Sequence, residues 1–372
     1  MRICYISNPN STHTHRWVKW FAGHGHTVCL VADTRVQEPP EGIPLFNLPQ
    51  RFNLPVVKYL AWIPWTRQIV QVWKPDILHA HRVTGGGWLG SFANFHPLVV
   101  TPWGSDLYLY PYRSRLAGWL TRRVLQQADL VTTDSVDLCN QAMRFGAKPE
   151  RSFLVHWGVD SSIFHPVNDP SELRRRLGIY GAPVILSPRA VNRVYNLEVL
   201  VNAIPVVLSQ YPQASFVLRD YNADSGYKDE LKRQIASLNI SEHVIWAGPL
   251  LRWEESAQYY QAADLVVSVP SSDATPVSVL EAMACGNPLI VSDLPSLREW
   301  ITDGANGLLV PAGDAERLAS AICSLLGDEA MRLAFRQSNL DLVKERATHQ
   351  KQMEKMERLY QDLLNTRKKV RP

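Results

Sequence analysis

The chain has 372 residues, 46% of them apolar and 20% charged, with a formal net charge of +4. That length exceeds one ordinary core and fits two α/β domains, and the composition excludes a disordered chain. No apolar run approaches the roughly 20 residues that cross a bilayer, and so small a charge offers no footing for nucleic acid.

The charge is unevenly placed. Residues 1–165 carry 16 Lys/Arg against 10 Asp/Glu, a net +6, and the remainder carries 23 against 25, a net −2. A basic first half attracts an anionic acceptor or a lipid surface. Five scattered cysteines without a Cys-x-x-Cys pair read as buried thiols in a reducing compartment. The start, MRICYISNPN, is a strand and a polar loop without the features of a signal peptide, so the expected location is the cytoplasm.

Residues 2–7 form an apolar strand, 8–14 a polar loop and 15–23 a helix stopped by Gly23 and Gly25, with a second strand at 26–32. The proline-rich stretch 33–56 reads as irregular. Residues 57–73, with Tyr59, Trp62, Trp65 and Trp73, read as helix bent at Pro64. The plain reading of its aromatic face is core, and the sharper one is a membrane-facing surface. Strands follow at 76–81, 98–101, 130–133 and 153–156, with a Gly85–Gly87 turn after the first. Helices are expected at 114–127 and from Ser135, which suits an N-cap. The first domain covers 1–166.

The alternation restarts at the strand 184–187 and continues with strands at 215–219, 244–247, 264–270, 287–293 and 307–310. The helices between and after them fall at 197–210, 228–238, 255–263, 277–284 and 315–326. This is the second domain, 167–346. A long helix from Glu329 breaks between Arg346 and Gln350, and residues 347–372 are expected to pack back on the first domain. Two doubly wound, Rossmann-like domains facing across a cleft is the architecture the alternation predicts.

Chemistry concentrates in the second domain. Arg189 and Arg193 follow its first strand, where guanidinium groups suit a diphosphate. The plain alternative is surface arginine. In Asp273-Ala-Thr-Pro-Val-Ser-Val-Leu-Glu281 a loop carboxylate precedes a helix start, and a second carboxylate lies within the helix. Glu281 suits the cis-diol of a ribose and Asp273 the hydroxyls of a sugar. Free amides and the positive dipole end at Pro276, Val277 and Ser278 suit a phosphate. The pairs His13/His15 and His79/His81 raise a metal reading, but no series of further ligands supports one, so no metal is assigned.

The stretch Asp273 to Pro288, with Ser292-Asp293, Glu299, Asp303-Gly304 and Gly307, resembles the donor-site motif of glycosyltransferase family 4. Those are retaining enzymes of the GT-B architecture that use nucleotide sugars. Arg16-Trp17, Gly25-His26, the 76–81 strand, Ala128-Asp129, Gly158-Val-Asp160, Phe164 and Gly248 fit the same family in order. The resemblance implies Arg189 as a phosphate-binding residue, Glu281 at the ribose and Asp273 at the donor sugar. It places Pro276–Ser278 near the distal phosphate and Pro249-Leu250 at the base. The family usually has glutamate where Asp273 stands and a phosphate-binding lysine at Tyr195-Asn196, so Arg193 is the expected substitute. Its frequent His-Gly appears as Trp103-Gly104, which leaves Asp106 as the nearest polar candidate for chemistry. Asn8–Thr14, with His13, replaces its glycine-rich first loop.

The implied activity is transfer of a hexosyl or N-acetylhexosaminyl group from a UDP- or GDP-sugar to a hydroxyl, with retention and without metal or other cofactor. The implied acceptor is a saccharide or lipid-linked saccharide in cell-surface polysaccharide or glycolipid synthesis, with peripheral contact at the inner membrane face. A sugar-nucleotide epimerase of the same fold and a non-catalytic nucleotide-sugar-binding member are the alternatives.

Overall fold

Strands buried on both faces read as continuous apolar runs, which is the pattern of parallel sheets covered by helices. The computed structural model describes residues 1–37, 39–49, 55–167, 169–221, 223–248 and 252–370, and it contains two such sheets. Every pairing between neighbouring strands in them is parallel.

The chain divides into two compact units, Met1–Trp157 with Gln352–Pro372, and Gly158–Lys351. In the first, the strands are β1 (Arg2–Ser7), β2 (Thr27–Ala32), β3 (Leu45–Asn47), β4 (Ile77–His81), β5 (Leu98–Thr101), β6 (Leu130–Thr133) and β7 (Ser152–Leu154). Their order in the sheet is β3-β2-β1-β4-β5-β6-β7. The helices are α1 (Thr12–Gly23), α2 (Pro55–Trp73), α3 (Gly87–Ala93), α4 (Ser105–Tyr108), α5 (Arg115–Gln127) and α6 (Val136–Arg144). Ser114 and Ser135 cap α5 and α6, each accepting from a backbone amide at 3.1 Å.

One segment differs from the expectation. β3 lies inside the stretch read as irregular; three residues between Pro44 and Pro49 are too short to show a period. α2 runs as one helix through Pro64, with its core contact supplied by Trp62, which is fully buried and donates its indole N–H to the Pro49 carbonyl at 2.7 Å. Trp73 is covered by the Arg2 guanidinium, 4.5 Å from its ring centre. The two tryptophans are therefore core and cation-stacked, and only Trp65 of the three is half exposed.

The second unit holds α7 (Ser171–Arg176), β8 (Val184–Ser187), α8 (Leu197–Gln210), β9 (Ser215–Arg219), α9 (Ser225–Ser237), β10 (Val244–Ala247) and α10 (Trp253–Ala262). After these come β11 (Leu265–Ser268), α11 (Val277–Ala284), β12 (Leu289–Ser292), α12 (Pro295–Arg298), β13 (Leu308–Val310), α13 (Ala315–Gly327) and α14 (Glu329–Arg346). The sheet order is β10-β9-β8-β11-β12-β13. One apolar cluster fills each face, with Val266, Leu280 and Tyr260 in one and Ile185, Val267 and Phe216 in the other.

The last helix, α15 (His349–Val370), follows a break at Ala347-Thr348, as the sequence predicts. From Gln352 onward it belongs to the first unit. Its Tyr360 is fully buried and lies 2.5 Å from His79 Nδ1 and 3.2 Å from the Tyr5 hydroxyl. At the chain crossing before α15, Gly158 has φ +66°, and a Cβ there would stand 2.6 Å from the His349 Cα. Only glycine fits that approach. Among the described residues no helix is long and apolar enough to cross a membrane.

Candidate functional site

In the second sheet β8 lies between β9 and β11, so the chain leaves β8 in one direction and returns on its other side. Loops leaving two such strands diverge to opposite faces and open a crevice at their carboxyl ends. Two ties hold these loops together. The Ser271 amide donates to the Val194 carbonyl at 2.8 Å, and Asn196 Nδ2 donates to the Val269 carbonyl at 3.0 Å. Ser296 Oγ donates to the Asp273 carbonyl at 2.8 Å, and Trp300 Nε1 to Thr275 Oγ1 at 3.1 Å, which fixes the approach to α11.

Arg189 and Asp273 meet in this crevice. The Arg189 side chain is 8% exposed; its Nη2 donates to Asp273 Oδ2 at 2.5 Å and its Nη1 to Ser278 Oγ at 2.8 Å. The guanidinium lies 4.0 Å from the Tyr195 ring centre, a cation–π contact. Burial works against the Arg189 cation, but the Asp273 charge holds its pKa above the ordinary value. Burial likewise pushes the Asp273 carboxyl up, and Arg189 pulls it back. Pro276 caps α11, and Val277 and Ser278 occupy its first turn, where amides have no acceptor within the helix. Glu281, a turn further on, accepts from the Tyr260 hydroxyl at 2.8 Å. Burial raises the Tyr260 phenol well above its ordinary value, and the Glu281 charge adds to the rise.

Arg193 is not part of this cluster. It sits in the turn Arg193–Tyr195, exposed, with Nη2 at 2.6 Å from both carboxylate oxygens of Glu230 on α9. Its neighbour Tyr195 is the residue that turns inward. Pro249 and Leu250 lie outside the described residues. Arg219, at the carboxyl end of β9, is a cation that the sequence reading passed over. It donates to Ser256 Oγ at 2.7 Å and stacks at 4.7 Å on Tyr221. An arginine at the end of a predicted strand is the signal that marks it, the same signal that marks Arg189.

In the first unit Asp106 has a different role from the one expected. Its two carboxylate oxygens accept from the Val83 amide at 2.6 Å and the Trp103 amide at 2.8 Å, and the side chain is buried. Burial raises its pKa and those amides oppose the rise. Asp106 therefore ties the loops after β4 and β5, and its oxygens are committed to backbone. His13 lies on α1, not in a loop, with its ring 4.5 Å from Trp157 and 5.8 Å from Trp103. Burial, with Arg16, lowers its pKa to about 3, so the ring is neutral.

Three of the four histidines in the two pairs bond protein groups. His15 bonds the Pro9 carbonyl at 2.6 Å, His79 bonds Tyr360 and Thr101, and His81 bonds Ser7 Oγ at 3.1 Å. A buried ion pair between Asp33, at the end of β2, and Arg82, after β4, has a 2.6 Å contact. The sequence reading missed it because the partners are 49 residues apart. Arg82 holds φ +69°, and the following Gly86 has no room for a Cβ, which would lie 2.6 Å from the Ile6 carbonyl oxygen. A cavity of about 590 Å³ is away from these sites, between α15 and residues that precede β6 and β7, such as Asp129 and Glu150.

With that geometry in place, comparison with known proteins is direct. Residues 2–135 match the family model "Glycosyl transferase 4-like" and residues 169–340 match "Glycosyl transferases group 1". D-inositol 3-phosphate glycosyltransferase 1 of Catenulispora acidiphila is 30% identical over 283 residues, 70% of this chain and 66% of that protein. The D-inositol 3-phosphate glycosyltransferase of Geodermatophilus obscurus is 31% identical over 272 residues, 68% of this chain and 59% of that protein. The chain thus spans less than two thirds of the length of these relatives. Among solved structures, Anabaena HepE in complex with UDP and glucose superposes with a TM-score of 0.83 at 18% identity, covering 97% of this chain and 100% of that one. Sucrose-phosphate synthase from Thermosynechococcus elongatus gives 0.84 at 19% identity, covering 98% and 100%.

Proposed function

Since the chain belongs to the group 1, family 4 glycosyltransferases and has their GT-B fold, we propose that it transfers a hexosyl group from a UDP-sugar to a hydroxyl acceptor with retention at the anomeric carbon. The single observation that carries the reading is the Arg189–Asp273–Ser278 cluster beside Glu281 at the carboxyl edge of the second sheet. A buried guanidinium next to the free amides of α11 suits a departing diphosphate. Glu281, oriented by Tyr260, suits the ribose diol, and Asp273 suits a sugar hydroxyl. Anabaena HepE, whose complexes contain UDP, glucose and UDP-glucose, supports uridine as the donor base.

The chemistry follows from what the carboxylates are doing. Asp273 is in an ion pair and Glu281 accepts from a phenol, so neither stands as a free nucleophile. The reading is therefore front-face attack, with the C–O bond to the diphosphate breaking as the acceptor oxygen bonds the same face. The departing phosphate oxygen takes the acceptor proton. Guanidinium and helix amides neutralise the diphosphate, and transfer then continues in the presence of a chelator. A panel of UDP- and GDP-sugars read by nucleotide release tests the donor; release from none of them in the presence of saccharide acceptors overturns the reading.

The acceptor is a saccharide or lipid-linked saccharide reached at an anionic membrane surface. Leu109, Tyr112, Leu116 and Trp119 are each about half exposed or more, around the start of α5. Residues 107–128 hold Arg113, Arg115, Arg122 and Arg123 and no acidic residue. Aromatic and aliphatic side chains among arginines suit an interface with anionic lipid.

A further inference from the structure

A diphosphate in a partly buried crevice needs more positive charge than this one offers through Arg189, whose charge Asp273 already balances. Tyr195 stacks on Arg189 where a second cation would be useful, and Arg193 faces Glu230. We propose that Arg219 is the second diphosphate-binding residue, gripping the phosphate nearer the ribose. The proposal rests on the transferase reading and deepens it.

Arg219 closes β9, the strand paired with β8, so it emerges at the same edge of the sheet, one strand from the Arg189 loop. Its Nη1 is held by Ser256 Oγ on α10, the helix that also carries Tyr260. Its Nε is buried without a hydrogen-bond partner, and among the described residues no carboxylate lies within ion-pair distance of it. The adjacent Asp220 is engaged by Lys228 at 2.5 Å. A half-buried guanidinium has five N–H donors, and one hydroxyl uses one of them. The remaining donors favour an anion.

Tyr221 links the groups. Burial raises its phenol, Arg189 and Arg219 both pull it back, and Glu281 pushes it up, so all four side chains share one neighbourhood. The bonds suggest an order across the crevice: Arg189 bonds Asp273, the residue read at the sugar, and Arg219 bonds Ser256 on α10, the helix whose Tyr260 donates to Glu281, the residue read at the ribose.

The test is calorimetric titration of the full chain with UDP, UMP and uridine. Arg219→Gln should weaken UDP and UMP by about 10-fold or more, the scale of one charge-assisted contact, and leave uridine unchanged. Arg219→Lys should recover part of the loss, and Arg189→Gln should weaken UDP more than UMP. Unchanged UMP affinity in Arg219→Gln overturns the assignment, and so does an equal loss for uridine, which would place Arg219 at the ribose or base. Wild-type chain that binds none of UDP, GDP or ADP overturns the transferase reading itself, a different outcome from a variant that matches wild type.

Discussion

Arg189 Nη2 donates to Asp273 Oδ2 at 2.5 Å, across a loop-to-loop gap of 84 residues in sequence. The pair sets the charge of a guanidinium against the carboxylate proposed to face the donor sugar. Binding a diphosphate requires Arg189 to share or leave that contact. Asp273→Asn keeps the shape, removes the competing charge and replaces one of the two acceptor oxygens offered to the sugar with an amide donor. We expect it to lower turnover by ~10² or more, the scale of a lost transition-state contact, while UDP affinity stays equal or tightens. Calorimetry with UDP and initial rates with the donor found by the panel separate the two effects. Weaker UDP binding would show that Asp273 supports the nucleotide rather than competing with it.

Arg189→Ala removes the cation proposed to face the leaving diphosphate, and with it the partner of a buried Asp273. The rate should fall by ~10² or more. By contrast, Arg193→Ala should stay within about threefold of wild type, since an exposed pair such as Arg193–Glu230 is screened by water. A large loss in Arg193→Ala would mean that the side chain swings in when donor binds.

Glu281 accepts from Tyr260, which leaves its carboxylate oriented toward what a ribose would offer. Glu281→Ala should weaken UDP by about 10-fold, close to 1.4 kcal/mol, and should erase any preference for UDP over 2′-deoxy-UDP. Tyr260→Phe should have the smaller effect, because it loosens the carboxylate without removing it. A preference for UDP that survives in Glu281→Ala would move the ribose contact elsewhere.

What the sequence made legible follows the range of each signal. Alternating strands and helices are local patterns of four to fourteen residues, so α8, β9, β10 and α11 fall where the periodicity puts them. Arg189 and Asp273 were legible because they follow the ends of predicted strands, and Glu281 because it lies within the helix that comes next. Three things were not. The sign of Arg193's partner depends on Glu230, 37 residues away, and the backbone turn that points Tyr195 inward leaves no trace in residue type. Asp106 looks like any loop acid until the Val83 and Trp103 amides converge on it. The aromatic stretch around Trp62 shows apolar bulk but not which side faces protein, and Trp62 turned out buried while Leu116 and Trp119 are exposed.

The α5 patch makes a prediction for lipid. Wild-type chain should float with vesicles containing about a third anionic lipid and not with neutral vesicles, and should be released by salt, since arginine attraction is screened within ~10 Å at 0.1 M salt. Trp119→Ser with Leu116→Ser should reduce flotation while UDP affinity, measured in solution, is unchanged. Equal flotation with neutral vesicles would leave the arginines without a part in it.

His81 sets a pH limit on the first unit. Its ring is fully buried, Nδ1 bonds Ser7 Oγ, and burial, with the nearby Arg82 charge adding to it, lowers its pKa to about 3. The unfolded chain keeps the ordinary value of about 6.5. Between these two values the unfolded state binds more protons than the folded one, so stability rises with pH. The contribution is complete above pH 6.5 and is lost as pH falls through 6.5 toward 3. From pH 7 to pH 5 this one histidine should cost about 2 kcal/mol. Denaturant titrations at both pH values measure it, and His81→Phe, which cannot titrate, should show a slope shallower by that amount even if it is less stable throughout. An unchanged slope in the variant would assign the acid sensitivity to other groups, with the buried His13 and His79 the first to examine.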